Sequence, residues 1–167
     1  VDGMRSAGPF PPRVPHIPTG QVGPGVQTDT IDRLVDEFGM DHGALPATLM
    51  YRGYKKSTCT SLNHVVCHGI PSDKPMKDGD IVNIDVTLIL DGWHGDSSRM
   101  YPIGNIPRRA ERLIEVTHES MMRGIATIKP GSTTGDIGAA IQSYVEAHHM
   151  SLVRAFCGPG LGKLFSD

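Results

Sequence analysis

The chain has 167 residues, 38% apolar and 20% charged, with a net charge of −2, so it has the make-up of a globular protein with room for one domain with a real core, or for one lobe of something larger. No basic run marks a nucleic-acid surface, no apolar run approaches the about 18–20 residues of a membrane span, and the N-terminus lacks a signal-peptide pattern. Three cysteines at no metal-finger spacing argue against a disulfide framework and for a reducing compartment.

In chain order, residues 1–27 form a Pro-rich segment. Pro9, Pro11, Pro12, Pro15, Pro18 and Pro24 forbid a continuous helix, and it is read as irregular. Residues 27–40 read as a helix capped by Thr28, with Ile31, Leu34, Val35 and Phe38 as its apolar stripe. A short strand is expected at residues 47–51, and strand-like pieces at residues 58–61 and 65–68. Residues 71–79 form a loop.

Residues 80–101, DIVNIDVTLILDGWHGDSSRMY, read as a β-hairpin. Two β-prone runs flank Asp91-Gly92, the favoured two-residue hairpin turn. With Leu90 opposite Trp93, period-two alternation puts Val82, Ile84, Val86, Leu88, Leu90 and Trp93 on one face. Asn83, Asp85, Thr87, His94, Asp96 and Ser98 fall on the other. Asp85 then faces Ser98, with Asp96 its diagonal neighbour at about 7–8 Å between Cβ atoms. Such a polar face is ordinarily a solvated one. Two carboxylates this close also repel, and a pair of divalent cations roughly 3.5–4 Å apart would relieve them.

Residues 109–128 read as a helix with Leu113, Val116, Thr117, Met121, Gly124 and Ile125 inward, ended by Lys129-Pro130-Gly131. Residues 134–149 read as another, capped by Ser132 or Thr133, with Ile137, Ile141, Tyr144 and Val145 inward. A short strand at residues 152–156 and a tight loop at residues 158–162 complete the chain. This order predicts an α+β domain over residues 28–167, with helices on one sheet face and the polar hairpin face as the wall of a site.

Among possible chemical groups, His68 lies beside a Gly-Ile-Pro turn, and His64 and His94 are further candidates. His42, His118, His148 and His149 read as surface residues. Cys67 and Cys157 read as buried small hydrophobes, and Cys59 as a pocket wall. Neither GxSxG nor GxxxxGK[ST] occurs.

The segments STCTSLNHVVCHGIP, DGDIVNIDVTLILDGWHGDSSRMY and CGPGLGKLF resemble the type I bacterial methionine aminopeptidases, from about Thr28 to the C-terminus. The resemblance implies a pita-bread fold, present over its first half to two-thirds, and a metal-dependent hydrolase that removes the N-terminal methionine of nascent proteins. It implies two divalent metal ions (cobalt, manganese, iron or zinc), held in part by Asp85 and Asp96. It implies a cytoplasmic, ribosome-associated enzyme acting on Met-initiated peptides. His68 would contact substrate near the scissile bond, with Tyr51 or Tyr54, Cys59 and Phe165 walling the methionine pocket.

The chain also departs from this pattern. The family's CGHGIG has a histidine ligand where Pro159 stands, and its FHE or FHD motif has a substrate-contacting histidine where Ser166 stands. The family's two glutamate ligands are expected beyond Asp167. Both ends look cut. Pro159 and Ser166 lie inside the chain and favour loss of activity over simple truncation. A catalytically dead lobe that binds peptides or a protein partner is the alternative, and a non-functional fragment a third.

Overall fold

The computed structural model describes Asp2, Ala7, residues 21–49 and 51–156, Gly158 and residues 160–166, without the side chains of Phe165 and Ser166. The irregular segment expected at residues 1–27 lies mostly outside the described residues, as do Cys157 and Pro159. The chain divides into two units, Val1–Ile106 with Pro159–Asp167, and Pro107–Gly158.

The first unit is organised on the predicted hairpin. Strands β3 (Ile81–Leu90) and β4 (Trp93–Pro102) pair antiparallel from Ile81 opposite Pro102 to Leu90 opposite Trp93. Asp91 and Gly92 have φ of 51° and 77°, the two positive values that a tight hairpin turn needs. The other edge of β3 carries two short strands. β1 (Leu45–Pro46) pairs with Leu88 and Ile89, and β2 (Cys59–Leu62) pairs with Asp85 through Val82.

Helix α1 (Thr28–Asp41) covers the apolar face. Ile31 and Val35 are fully buried against Val82, Ile84, Val86 and Leu88, joined by Ala44, Met76, Tyr101 and Ile103. The helix ends with the carbonyl of the buried Gly39 accepting from His42 N at 3.1 Å and from Ala44 N at 2.9 Å. A two-strand hairpin, β5 (Gly160–Leu161) and β6 (Phe165–Ser166), completes the unit.

The second unit is a helical hairpin of α2 (Arg108–Ala126) and α3 (Thr134–Ala147). Thr133 caps α3 in a reciprocal arrangement with Asp136. The α3 face is the predicted one: Val145 is buried and Ile137, Ile141 and Tyr144 are half-buried. The α2 face is not. Leu113, Thr117, Met121 and Ile125 are exposed, and the buried residues are Val116, Ser120 and Gly124. Gly124 decides this, because a Cβ there would meet Ile141 at 2.9 Å and Ile137 at 3.2 Å. The bare position receives the α3 side chains, so the contact stripe centres on it and not on the largest apolar residues.

Other local expectations are corrected. Gln27, not Thr28, occupies the cap of α1. Thr28 instead exchanges hydrogen bonds with the Ser72 backbone, tying the helix to the loop before β3. The strand expected at residues 47–51 is displaced to Leu45–Pro46, and Tyr51–Gly53 forms a 3-10 turn. Residues 65–68 are not a strand, because Gly69 folds back on β2, where its carbonyl accepts from Thr60 N at 2.7 Å. Residues 152–156 form no strand, and Gly160–Leu161 is a strand where a loop was expected. Among the described residues no helix is long and apolar enough to cross a membrane.

Burial sets the expected stability effects. Ile31→Ala should cost about 2–5 kcal/mol in urea denaturation. Leu113→Ala, on the exposed side of α2, should stay within about 0.5 kcal/mol.

Candidate functional site

The polar face of the sheet spans three strands, because paired residues point to the same side. Cys59, Asp85 and Ser98 form one row across β2, β3 and β4. Ser61, Asn83 and Met100 lie on one side of it, and Thr87 and Asp96, then Ile89 and His94, on the other. Asp85 and Asp96 are therefore diagonal neighbours at the centre of the face, in the predicted register.

Their electrostatics follow from that placement. Asp85 is half-buried, and burial, the charge of Asp96 and a hydrogen bond to the Asp96 carboxylate together push its carboxyl up to about 7 from 3.8. Thr87 Oγ1 donates to Asp96 Oδ1 at 2.8 Å and fixes the orientation of that carboxylate. Ser98 Oγ donates to Asn83 Oδ1 at 2.9 Å on the flank. Two carboxylates held this close on a half-buried face, one of them raised by burial and by the charge of the other, are a donor pair that fits a divalent cation. Among the described residues no group of three or more His, Cys, Asp or Glu side chains gathers at one point.

The wall on the β2 side is set by α1. Asp32 Oδ1, 8% exposed, accepts from Ser57 N, Thr58 N and Thr58 Oγ1 at 2.8–2.9 Å. Asp36 accepts from Ser57 Oγ at 2.9 Å, and Asp29 pairs with Lys56 at 2.6 Å. Three aspartates at helical spacing thus grip the residues that lead into Cys59. Cys59 is buried, and burial chiefly pushes its thiol up. Tyr54 donates to the Thr58 carbonyl at 2.8 Å and lies within 3.3 Å of the Gly69 carbonyl; burial and a hydrogen bond with Cys59 push its phenol up as well.

His68 sits on the loop that returns over β2. Its φ of 54° is a conformation few non-glycine residues adopt, and it comes just before Gly69. Gly69 is required there, because a Cβ would lie 2.2 Å from the Thr60 carbonyl oxygen. His68 is exposed, and so are Val66 and Ile70 beside it.

The structure therefore gathers Asp85, Asp96 and Cys59 on one face, with Tyr54 against Cys59. Tyr51 is exposed in the 3-10 turn, with the Arg52 guanidinium 5.2 Å from its ring centroid. Cys67 is half-buried, not buried. His64 is exposed on the loop after β2, and His94 lies on the site face. His42, His118 and His149 are exposed as expected, while His148 is half-buried, its Nδ1 2.8 Å from the Tyr144 carbonyl. The side chains of Phe165 and Ser166, and all of Pro159, lie outside the described residues. Sequence reasoning missed Asp32; its signal was the spacing of Asp29, Asp32 and Asp36 on one helix face.

The model of metallopeptidase family M24 matches residues 15–167. The chain belongs to metallopeptidase family M24. This M24 chain is similar to the methionine aminopeptidase of Rickettsia prowazekii, 53% identical over 164 residues that cover 98% of the chain and 63% of the relative. It is similar to the methionine aminopeptidase of Escherichia coli K12, 46% identical over 169 residues, covering 100% and 64%. It spans less than two thirds of the length of these relatives.

The crystal structure of the Rickettsia prowazekii enzyme superposes with a TM-score of 0.95, covering 98% of this chain and 66% of that one, at 53% identity. Prolidase from Pyrococcus furiosus, 17% identical, shares the fold alone at a TM-score of 0.74 over 88% of this chain and 42% of that one. The M24 chain has an α+β pita-bread fold, present in part. Membership of a metallopeptidase family implies use of divalent metal.

Two outcomes follow for the metal-free chain. The Asp85 carboxyl titrates higher folded than unfolded, so the unfolded chain gives up its proton first as pH rises. Stability is then lost between about pH 4 and pH 7, and Asp85→Asn should flatten that loss, read as urea midpoints across the range. Asp32→Ala leaves three buried donors without their acceptor and should cost about 3 kcal/mol; Asp32→Asn, which keeps an acceptor oxygen, should cost less in the same assay.

Proposed function

We propose that this chain carries the metal-binding and substrate-facing half of a methionine aminopeptidase site, acting on the N-terminal methionine of peptides. The observation that carries this reading is the diagonal Asp85–Asp96 pair, with a raised Asp85 carboxyl and an oriented Asp96, in a chain 53% identical to a methionine aminopeptidase.

In this reading Asp85 and Asp96 hold divalent metal, with cobalt, manganese, iron and zinc all suited to hard carboxylates. Bound there, the metal would polarise the first peptide carbonyl and lower the pKa of a water. Asp85 would hold the cation as its carboxylate, and Thr87 keeps the Asp96 carboxylate oriented. His68 hydrogen-bonds near the leaving amide from its loop. Cys59, Tyr51 or Tyr54, and Phe165 receive the methionine side chain, since sulfur and aromatic surfaces suit a flexible thioether. The substrates are the Met-initiated ends of nascent chains, met in the cytoplasm at the ribosome.

A second reading rests on Pro159. Proline offers no side-chain ligand where the resemblance has a histidine, and losing ligands weakens or removes metal. The lobe would then bind peptide N-termini or a partner protein without turnover.

One experiment separates the two. Free methionine released from a Met-Ala-Ser peptide is measured with added manganese or cobalt. In the first reading the chain releases methionine and Asp96→Asn does not. Asp96→Asn should also weaken manganese binding by at least about 10–100-fold, the range produced by outer-sphere partners alone. Peptide binding without release supports the second reading, and neither binding nor release removes both.

A further inference from the structure

The β5–β6 hairpin meets the site face at His94. His94 is half-buried on that face, two positions before Asp96 in β4. Its backbone N–H donates to the Gly162 carbonyl at 2.9 Å, and its Nδ1 lies 3.2 Å from the same oxygen. A carbonyl can only accept, so Nδ1 carries the proton in this contact. The adjacent pair adds a second fastening, with the Lys163 ammonium 5.4 Å from the centroid of the Trp93 ring.

The hairpin is two residues long on each strand. A ladder this short is marginal by itself, so its place beside the carboxylates depends on what fastens it to β4. The backbone bond at His94 would survive any side chain there. The imidazole bond would not, and it holds the hairpin through a side chain rooted on the same strand as Asp96.

We propose that His94 is a positioning residue: its Nδ1–H clamps the Gly162 carbonyl and holds residues 160–166 against β4, two positions from Asp96, as a wall against which a peptide N-terminus is bound. The role in peptide binding rests on the aminopeptidase reading; the clamp itself does not. Asparagine is the informative replacement, because its Nδ2–H reaches about where Nδ1–H does and can donate to the same carbonyl. Alanine keeps the backbone bond and loses the imidazole one.

Trp93 is the single tryptophan of the chain, so its fluorescence reports the docking directly. The full chain, His94→Asn and His94→Ala are compared by Trp93 emission and acrylamide quenching, with far-UV circular dichroism as the check on folding. Binding of a Met-Ala-Ser peptide with manganese is followed by calorimetry. The expected result is a red-shifted, more readily quenched Trp93 in His94→Ala with unchanged circular dichroism, peptide affinity weakened roughly tenfold as for one lost hydrogen bond, and both properties restored in His94→Asn. Wild-type emission in His94→Ala, or an Asn variant that behaves as the Ala variant, overturns the clamp. If the unaltered chain binds no peptide, the aminopeptidase reading falls while the fluorescence comparison still decides the clamp.

Discussion

The register of β3 against β4 is the constraint on which the rest depends. One strand, β3, must turn Val82, Ile84, Val86 and Leu88 to helix α1 and Asp85 to the opposite side. A slip of one residue would exchange the two sets, burying carboxylates and exposing the core. The left-handed pair at Asp91 and Gly92 pins that register from the turn, and burial of four side chains on one face pins it along the strand. The proximity of Asp85 to Asp96, and the proton that Asp85 retains, are consequences of a core requirement met on the reverse face.

A second constraint reaches the site from α1. The helix face that grips residues 56–58 is acidic at Asp29, Asp32 and Asp36, while the face that packs on the sheet is apolar at Ile31 and Val35. The same helix thus covers the core and anchors the chain entering β2. Cys59 follows immediately and stands opposite Asp85. Gly69 then returns the chain across β2, which carries His68 into its left-handed position. The approach to Cys59 is thus held by the Asp32 side chain on the Ser57 and Thr58 backbone N–H groups, and the His68 loop by the bond from Thr60 N–H to the Gly69 carbonyl.

Much of the arrangement was legible because it is local. Asp-Gly between two β-prone runs identifies a turn, and alternation then distributes every side chain of the hairpin to a face; all the pairs expected there occur. Helix limits were close for the same reason, and Thr133 with Asp136 forms the reciprocal cap that its spacing allows. Expectations went astray where a distant partner decides. Thr28 has the chemistry of a cap but spends its hydroxyl on Ser72. The α2 stripe was expected at Leu113, Val116, Thr117, Met121, Gly124 and Ile125; Val116 and Gly124 are buried with Ser120, while the larger apolar residues are exposed, because the missing side chain at Gly124 makes room for α3. The short strands at Leu45–Pro46 and Gly160–Leu161 exist only through their partners, which no local pattern encodes.

The sequence by itself determined the hairpin, its two faces, the two aspartates at diagonal positions and the family to which those motifs point. These are properties of neighbours in the chain, governed by turn conformation and period-two geometry. Only the tertiary structure decided that Asp85 holds its proton to about 7, because that shift comes from burial and from a carboxylate on another strand. It also decided that Asp32 anchors β2 and that His94 and Gly162 share a bond across 68 residues of chain. Desolvation and contacts between distant segments exist only once the chain has closed on itself, and they turn a pattern of residues into a site.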